Sequence, residues 1–266
     1  MNKSKTNLVY YLPCRPEAIY LNVTAECLNN CLFCIKRDGP VFFGHNLSLN
    51  GDVPGVQDFV EALLASPSWQ SVKEVVICGM GEPLLRYDCV CDVCTFIRES
   101  KGNEVRIRVD TSGLFWAREP RLDILDHVDI LSISLNGESA SKYVELCQPK
   151  LHDAYGVLMR FLRGLKAAKV EKKRQGICFP RIRLSVVDTS EERCIPRSGR
   201  KDYELGTFPA PDIEACKRIA ADFGWPLIVK RLFRDSCDDV WKEPAVQEAL
   251  THGIAPERCR ECSYRH

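Results

Sequence analysis

Six short apolar runs, each separated from the next by a stretch with helical spacing, limit the fold of this chain more than any other feature. Residues 19–24, 72–78, 105–110, 129–135, 181–187 and 226–233 read as strands. Between them, residues 56–65, 87–99, 139–146, 155–169 and 212–223 carry apolar side chains at helical intervals, with a shorter helical stretch at 121–126. Val56, Phe59, Val60 and Leu63, for example, share one helical face. Strands that alternate with helices pair in parallel and are joined by right-handed crossovers. The chain is therefore α/β, and two arrangements satisfy the pattern: an open, partial barrel or a doubly wound sheet. Both gather their functional groups at the carboxyl ends of the strands.

The chemically distinctive residues fall at those ends. Directly after the first strand comes Cys27-Leu28-Asn29-Asn30-Cys31-Leu32-Phe33-Cys34. After the second comes Gly79-Met80-Gly81-Glu82-Pro83, after the third Asp110-Thr111-Ser112-Gly113, and along the fourth Ser132, Ser134 and Asn136. Taken singly, a Gly-x-Gly is most often a turn and Asp-Thr-Ser-Gly a cap. Four polar groups at four successive strand ends describe one site.

The cysteine loop can aim three thiolates at one centre, as a [4Fe–4S] cluster requires. A ferredoxin would supply a fourth cysteine in the same run; here Ile35-Lys36-Arg37-Asp38 follows. One iron is then left open to a small-molecule ligand, and an open coordination position is the usual mark of a catalytic metal. The chain has fifteen cysteines, and the start at Met1 lacks the apolar stretch of an export signal, so reduced thiols and a metal cofactor fit better than disulfides. The expected location is the cytoplasm. A net charge of +1 gives no general attraction to nucleic acid, and no apolar run approaches membrane-spanning length.

The spacing of Cys27, Cys31 and Cys34, with Phe33 before the last cysteine, resembles the radical SAM superfamily. Asn22-Val23-Thr24, Gly44-His45-Asn46-Leu47, the run from Cys78 to Arg86, Ile133-Ser134-Leu135-Asn136 and Tyr143 to Pro149 look like the TatD-associated family within it. The resemblance covers most of residues 18–233 and implies a partial (β/α)6 barrel of parallel strands. It further implies that Cys27, Cys31 and Cys34 hold a [4Fe–4S] cluster whose open iron is chelated by S-adenosylmethionine. Gly79, Met80, Gly81 and Glu82 then stand where relatives meet the amine of that molecule, with Met80 in place of a more usual glycine. Asp110, Ser112, Ser132, Ser134 and Asn136 stand near its ribose and carboxylate. The implied reaction is reductive cleavage to a 5′-deoxyadenosyl radical that takes hydrogen from a substrate. An electron donor of the flavodoxin or ferredoxin type is implied, and a pathway shared with a TatD-type hydrolase. A glycyl-radical activase, an RNA- or peptide-modifying enzyme, and a non-enzymatic iron–sulfur or zinc module are the alternatives. No acid, base or radical-relay residue is singled out.

Several features stay outside that core. Residues 1–17 read as an N-terminal extension, 188–210 as a charged, breaker-rich mobile insertion, and 234–266 as a C-terminal extension. The last contains Cys259-Arg260-Glu261-Cys262, which with Cys237 and His266 offers a second metal site. Cys89, Cys91 and Cys94 sit on a helix and read as core packing. Residues 39–46 read as loop, and His45 there either lines the site or faces solvent. Arg183, Ser185 and Arg231 lie on the last two strands; facing inward the arginines would bind an anion, and outward they would be ordinary surface charges, the commoner arrangement.

Overall fold

The computed structural model describes residues 7–12, 15–190 and 209–231. Its main sheet has seven strands. They are β1 (Val9–Tyr10), β2 (Ala18–Asn22), β5 (Glu74–Cys78), β6 (Arg106–Thr111), β7 (Ile130–Ser134), β8 (Arg181–Asp188) and β9 (Leu227–Arg231). A separate hairpin pairs β3 (Val41–Phe42) with β4 (His45–Asn46). The helices are α1 (Val56–Leu64), α2 (Tyr87–Lys101), α3 (Ala140–Cys147), α4 (Ala154–Arg174) and α5 (Ile213–Phe223).

Strand order separates the two architectures the alternation left open. The sheet runs β1-β2-β5-β6-β7-β8-β9, with every pair from β2 onward parallel and in chain order. A doubly wound sheet reverses direction at a switch point; this one does not. Right-handed crossovers that all advance the same way put the helices on a single face. Among the described residues no helix covers the opposite face, yet Tyr20, Arg108 and Ser132 on it are at most 4% exposed. A sheet buries an uncovered face only by curling round it, as in a partial barrel.

The pleat sorts the strands between those faces. Ile19, Leu21, Val75, Ile77, Ile107, Val109, Leu131, Ile133 and Leu184 point outward beneath the helices and are fully buried. Each contributes about 1.5–3 kcal/mol by leaving water. The inward set begins apolar. Tyr10, Tyr20, Val76 and Met80 pack with Phe42, Phe43 and Leu47 from the hairpin. From β6 to β9 it turns polar.

Helix ends are marked locally. Ser139 Oγ accepts from Lys142 N at 3.2 Å to start α3, and Asp212 Oδ1 accepts from Ala215 N at 2.9 Å to start α5. Pro83 opens the short 3₁₀ turn that leads into α2, and Gly224, at φ 73°, ends α5.

The strand boundaries lie within two residues of those read from the sequence. Four elements differ: α4 continues five residues past the end read at 169, and the stretch at 121–126 is a 3₁₀ turn over Asp123–Asp126. Residues 39–46 contain the β3–β4 hairpin rather than only loop, and part of the N-terminal extension is a strand, β1, antiparallel to β2. Two-residue strands are too short to show a period. Most of the 188–210 insertion and all of 234–266, with Cys237, Cys259, Cys262 and His266, lie outside the described residues.

Candidate functional site

The cysteine loop leaves β2 at Asn22 and is held from three sides. Along α3, the amides of Asn30 and Leu32 donate to the carbonyls of Cys147 and Leu146, both at 2.9 Å. The cysteine loop thereby satisfies orphan carbonyls at the end of the helix. Asn29 Nδ2 donates to Tyr143 Oη at 3.0 Å, and the Lys150 amide donates to the carbonyl of Leu28 at 2.8 Å. Cations cover the loop's carbonyls: Arg37 Nε donates to Cys31 O at 2.8 Å, and Lys150 Nζ to Cys27 O at 2.9 Å.

The third support is the turn after β5. Asn22 is fully buried; its Nδ2 donates to the carbonyls of Asn7 and Leu47, and its Oδ1 accepts from Met80 N at 3.0 Å. Glu82 N donates to Glu26 O at 2.7 Å. The glycines are required by this contact. Gly79 has φ 146°, and a Cβ on Gly81 would lie 2.1 Å from Glu26 O. Their small size lets two segments of the chain meet, where the sequence suggested approach to a ligand.

The carboxylate of Glu82 is engaged by the protein itself. Its carboxylate accepts from Leu84 N at 3.1 Å, Thr111 Oγ1 at 2.7 Å, Ser112 N at 2.6 Å and Ser112 Oγ at 2.5 Å. Those donors take the four lone-pair directions a carboxylate has. Burial pushes its pKa up against these bonds. Glu82 therefore ties the end of β5 to the end of β6, and Ser112 is engaged in the same knot. The backbone of residues 79–81 stays beside the cysteine loop.

Asp110, Ser132, Ser134 and Asn136 come together inside the curl. Asp110 pairs with Ser132 across β6 and β7, and Ser134 with Ser185 across β7 and β8. Asn136 takes a left-handed conformation at φ 54°, with its amide toward Ser185 O. Ser132 Oγ and Asp110 Oδ1 are buried side by side, without an aligned hydrogen bond. Burial raises the Asp110 pKa, but Arg108, Lys230 and Arg183 outweigh it and hold the carboxyl below its ordinary value. Arg183 faces inward and is 9% exposed, unlike the surface position that is commoner for arginine. The side chain of Arg231 lies outside the described residues.

The three cysteines are partly buried, and Cys27 and Cys34 both sense Cys31. Burial pushes the Cys27 thiol up to about 11 and raises that of Cys34. Cys31 is raised first by the neighbouring Cys147 thiol and then by burial. Sequence reasoning missed Cys147, whose only signal was the Cys-Gln-Pro run in the resemblance. Among the described residues no three His, Cys, Asp or Glu side chains gather as on a single ion. An iron cube instead asks each thiolate to bind a separate corner, and three thiols on one braced loop suit that donor set.

Other expectations resolve simply. Cys91 and Cys94 are buried in the helix-side core and Cys89 packs against it. His45 is half-buried beside the rings of Tyr10 and Tyr11, and burial lowers its pKa. No described helix is long and apolar enough to cross a membrane.

A family model described as the radical SAM superfamily matches residues 21–179, and the chain belongs to that superfamily of enzymes. It is 28% identical over 171 residues to a GTP 3′,8-cyclase of Limosilactobacillus fermentum, covering 64% of this chain and 45% of that protein. It is 22% identical over 196 residues to the dual-specificity RNA methyltransferase RlmN of Buchnera aphidicola, covering 72% of this chain and 52% of that one. The chain thus matches about half the length of these relatives. A crystal structure of Streptococcus suis SuiB superposes with a TM-score of 0.48 at 16% identity, over 91% of this chain and 47% of that one.

Proposed function

We propose that this enzyme holds a [4Fe–4S] cluster on Cys27, Cys31 and Cys34, binds S-adenosylmethionine at the open iron, and takes hydrogen from a substrate. The observation that carries this reading is the bracing of a three-cysteine loop, at the carboxyl end of parallel strands, against both α3 and the Gly79–Glu82 turn. When bound, the cluster and S-adenosylmethionine supply reductive cleavage of a carbon–sulfur bond to a 5′-deoxyadenosyl radical.

The chain's own residues do the rest. Carbonyls of Gly79, Met80 and Gly81 offer acceptors to an ammonium group. Ser134 and Asn136, nearest the rim, offer hydroxyl and amide groups to a ribose and a carboxylate, with Asp110 and Ser132 one layer beneath them. Arg37 and Lys150 place positive charge over the cysteine loop, which favours a reduced, more negative cluster. The curled sheet shuts water away from a reactive intermediate. The finer likeness to TatD-associated members rests on the sequence runs given above, and with it come a cytoplasmic setting, a flavodoxin- or ferredoxin-type donor and a TatD-type partner pathway.

The test is to purify and reconstitute the protein without oxygen, add dithionite and S-adenosylmethionine, and chromatograph the products. The expected result is 5′-deoxyadenosine from the natural protein and none from a Cys27→Ala/Cys31→Ala/Cys34→Ala variant. Equal yields from both would overturn the assignment.

A further inference from the structure

Among the described residues, the inner wall of the curl holds more positive charge than its carboxylates balance. Arg15 is neutralised at the amino end of the strands, where Nε meets Glu17 Oε1 at 2.8 Å and Nη2 meets Glu74 Oε2. Among the described residues that leaves Arg108, Arg183 and Lys230 around the carboxylate of Asp110, with Glu74, already paired to Arg15, the other carboxylate felt by the two arginines. Arg108 Nε stands 3.3 Å from Asp110 Oδ1, without the alignment of a hydrogen bond. Arg183 makes no hydrogen bond or ion pair among the described residues, and its Nε is buried without a partner. Ser132 Oγ, directly across from Arg183 in the register, is buried beside the Asp110 carboxylate without an aligned hydrogen bond.

Buried cations without counter-charge are costly, and a fold keeps them where a ligand completes the set. Burial lowers the pKa of Arg183 and of Lys230, and neighbouring cations add to it. Depth says which ligand. Arg183 is level with Ser132, two positions, about 6–7 Å, before the Ser134–Ser185 pair at which β7 ends, and Lys230 stands nearer the rim, level with Val187. Arg108 and Arg183 therefore lie below the rim where the cysteine loop meets the Gly79–Glu82 turn, with Lys230 above them.

We infer that Arg183 and Lys230, with Ser132 Oγ and with Arg108 steadied by Asp110, form a buried oxyanion site that anchors a phosphate or carboxylate group of the substrate. The inference rests on the proposed function, since it places the anion beneath S-adenosylmethionine held at the rim. Arginine and lysine both suit such a group: the first as a planar fork, the second as a point charge.

Equilibrium dialysis of the anaerobically reconstituted full chain tests it, with radiolabelled inorganic phosphate and saturating S-adenosylmethionine. The expected result is saturable phosphate binding that persists with S-adenosylmethionine present. Binding should weaken about tenfold or more in Arg183→Gln and in Lys230→Gln, and be largely kept in Arg183→Lys. Equal iron loading of the variants shows that their fold is intact, and the natural protein alone decides if a variant fails to load. Displacement of phosphate by malonate, but not by methyl phosphate, marks the group as a carboxylate; the reverse marks it as a phosphate ester. No saturable binding to the natural protein overturns the inference. Mutual displacement of phosphate and S-adenosylmethionine also overturns it, because the cations would then serve the cofactor's own carboxylate. Phosphate binding by a protein that releases no 5′-deoxyadenosine keeps the anion site and removes the functional reading; cleavage without phosphate binding does the reverse.

Discussion

Along β7, Leu131 and Ile133 are sealed beneath helices, while their neighbours Ser132 and Ser134 face an interior that also holds Arg108, Arg183 and Lys230. One face of the strand is arranged for stability and the other for binding. The outer face follows the ordinary rule that apolar surface is buried and packed. The inner face breaks it, keeping unpartnered polar atoms out of water. Such departures mark functional sites, because the missing partners are supplied by what binds there.

Substitutions on the two faces should therefore differ in size and even in sign. The largest loss is expected outside: Leu131→Ala should cost about 2–5 kcal/mol of stability in denaturant unfolding. Gly81→Ala comes next, at about 3 kcal/mol, because its Cβ meets the backbone of Glu26 and neither segment can yield. Iron loading of that variant should fall along with its stability. Glu82→Gln should cost about 1–3 kcal/mol, since an amide brings its own donors against four protein donors.

A smaller effect depends on pH. The native pKa of Asp110 is depressed, so its contribution is complete above the unfolded value of about 3.9 and fades as pH falls below it. Asp110→Asn should remove that part of the acid dependence, as acid titration of unfolding would show. The smallest change is expected at Arg183→Met, with stability equal to the natural protein or up to about 2 kcal/mol higher, because an unpaired buried cation is removed. A loss as large as that of Leu131→Ala would break the distinction between the faces.

The sequence made the outer face easy to read and the inner face hard. Apolar runs at strand spacing and helices at 3.6 spacing located every long element, because burial under helices imposes those periods. The β1 edge and the β3–β4 hairpin stayed hidden because two residues carry no period. Cys27, Cys31 and Cys34 were legible because their geometry is local to one loop. The tie of Glu82 to Thr111 and Ser112 stayed hidden because those groups come from another strand. The contact of Cys147 with the cysteine loop and the inward burial of Arg183 are long-range in the same way. A residue's neighbours across a curled sheet are set by register, which spacing along the chain does not reveal.

The electron paramagnetic resonance spectrum of the dithionite-reduced, reconstituted protein, recorded before and after addition of S-adenosylmethionine, tests the open iron corner most directly. The account predicts a reduced-cluster signal whose g-values move when S-adenosylmethionine is added, and loss of that signal in the triple cysteine variant. A signal indifferent to S-adenosylmethionine, or one that survives removal of Cys27, Cys31 and Cys34, would contradict it.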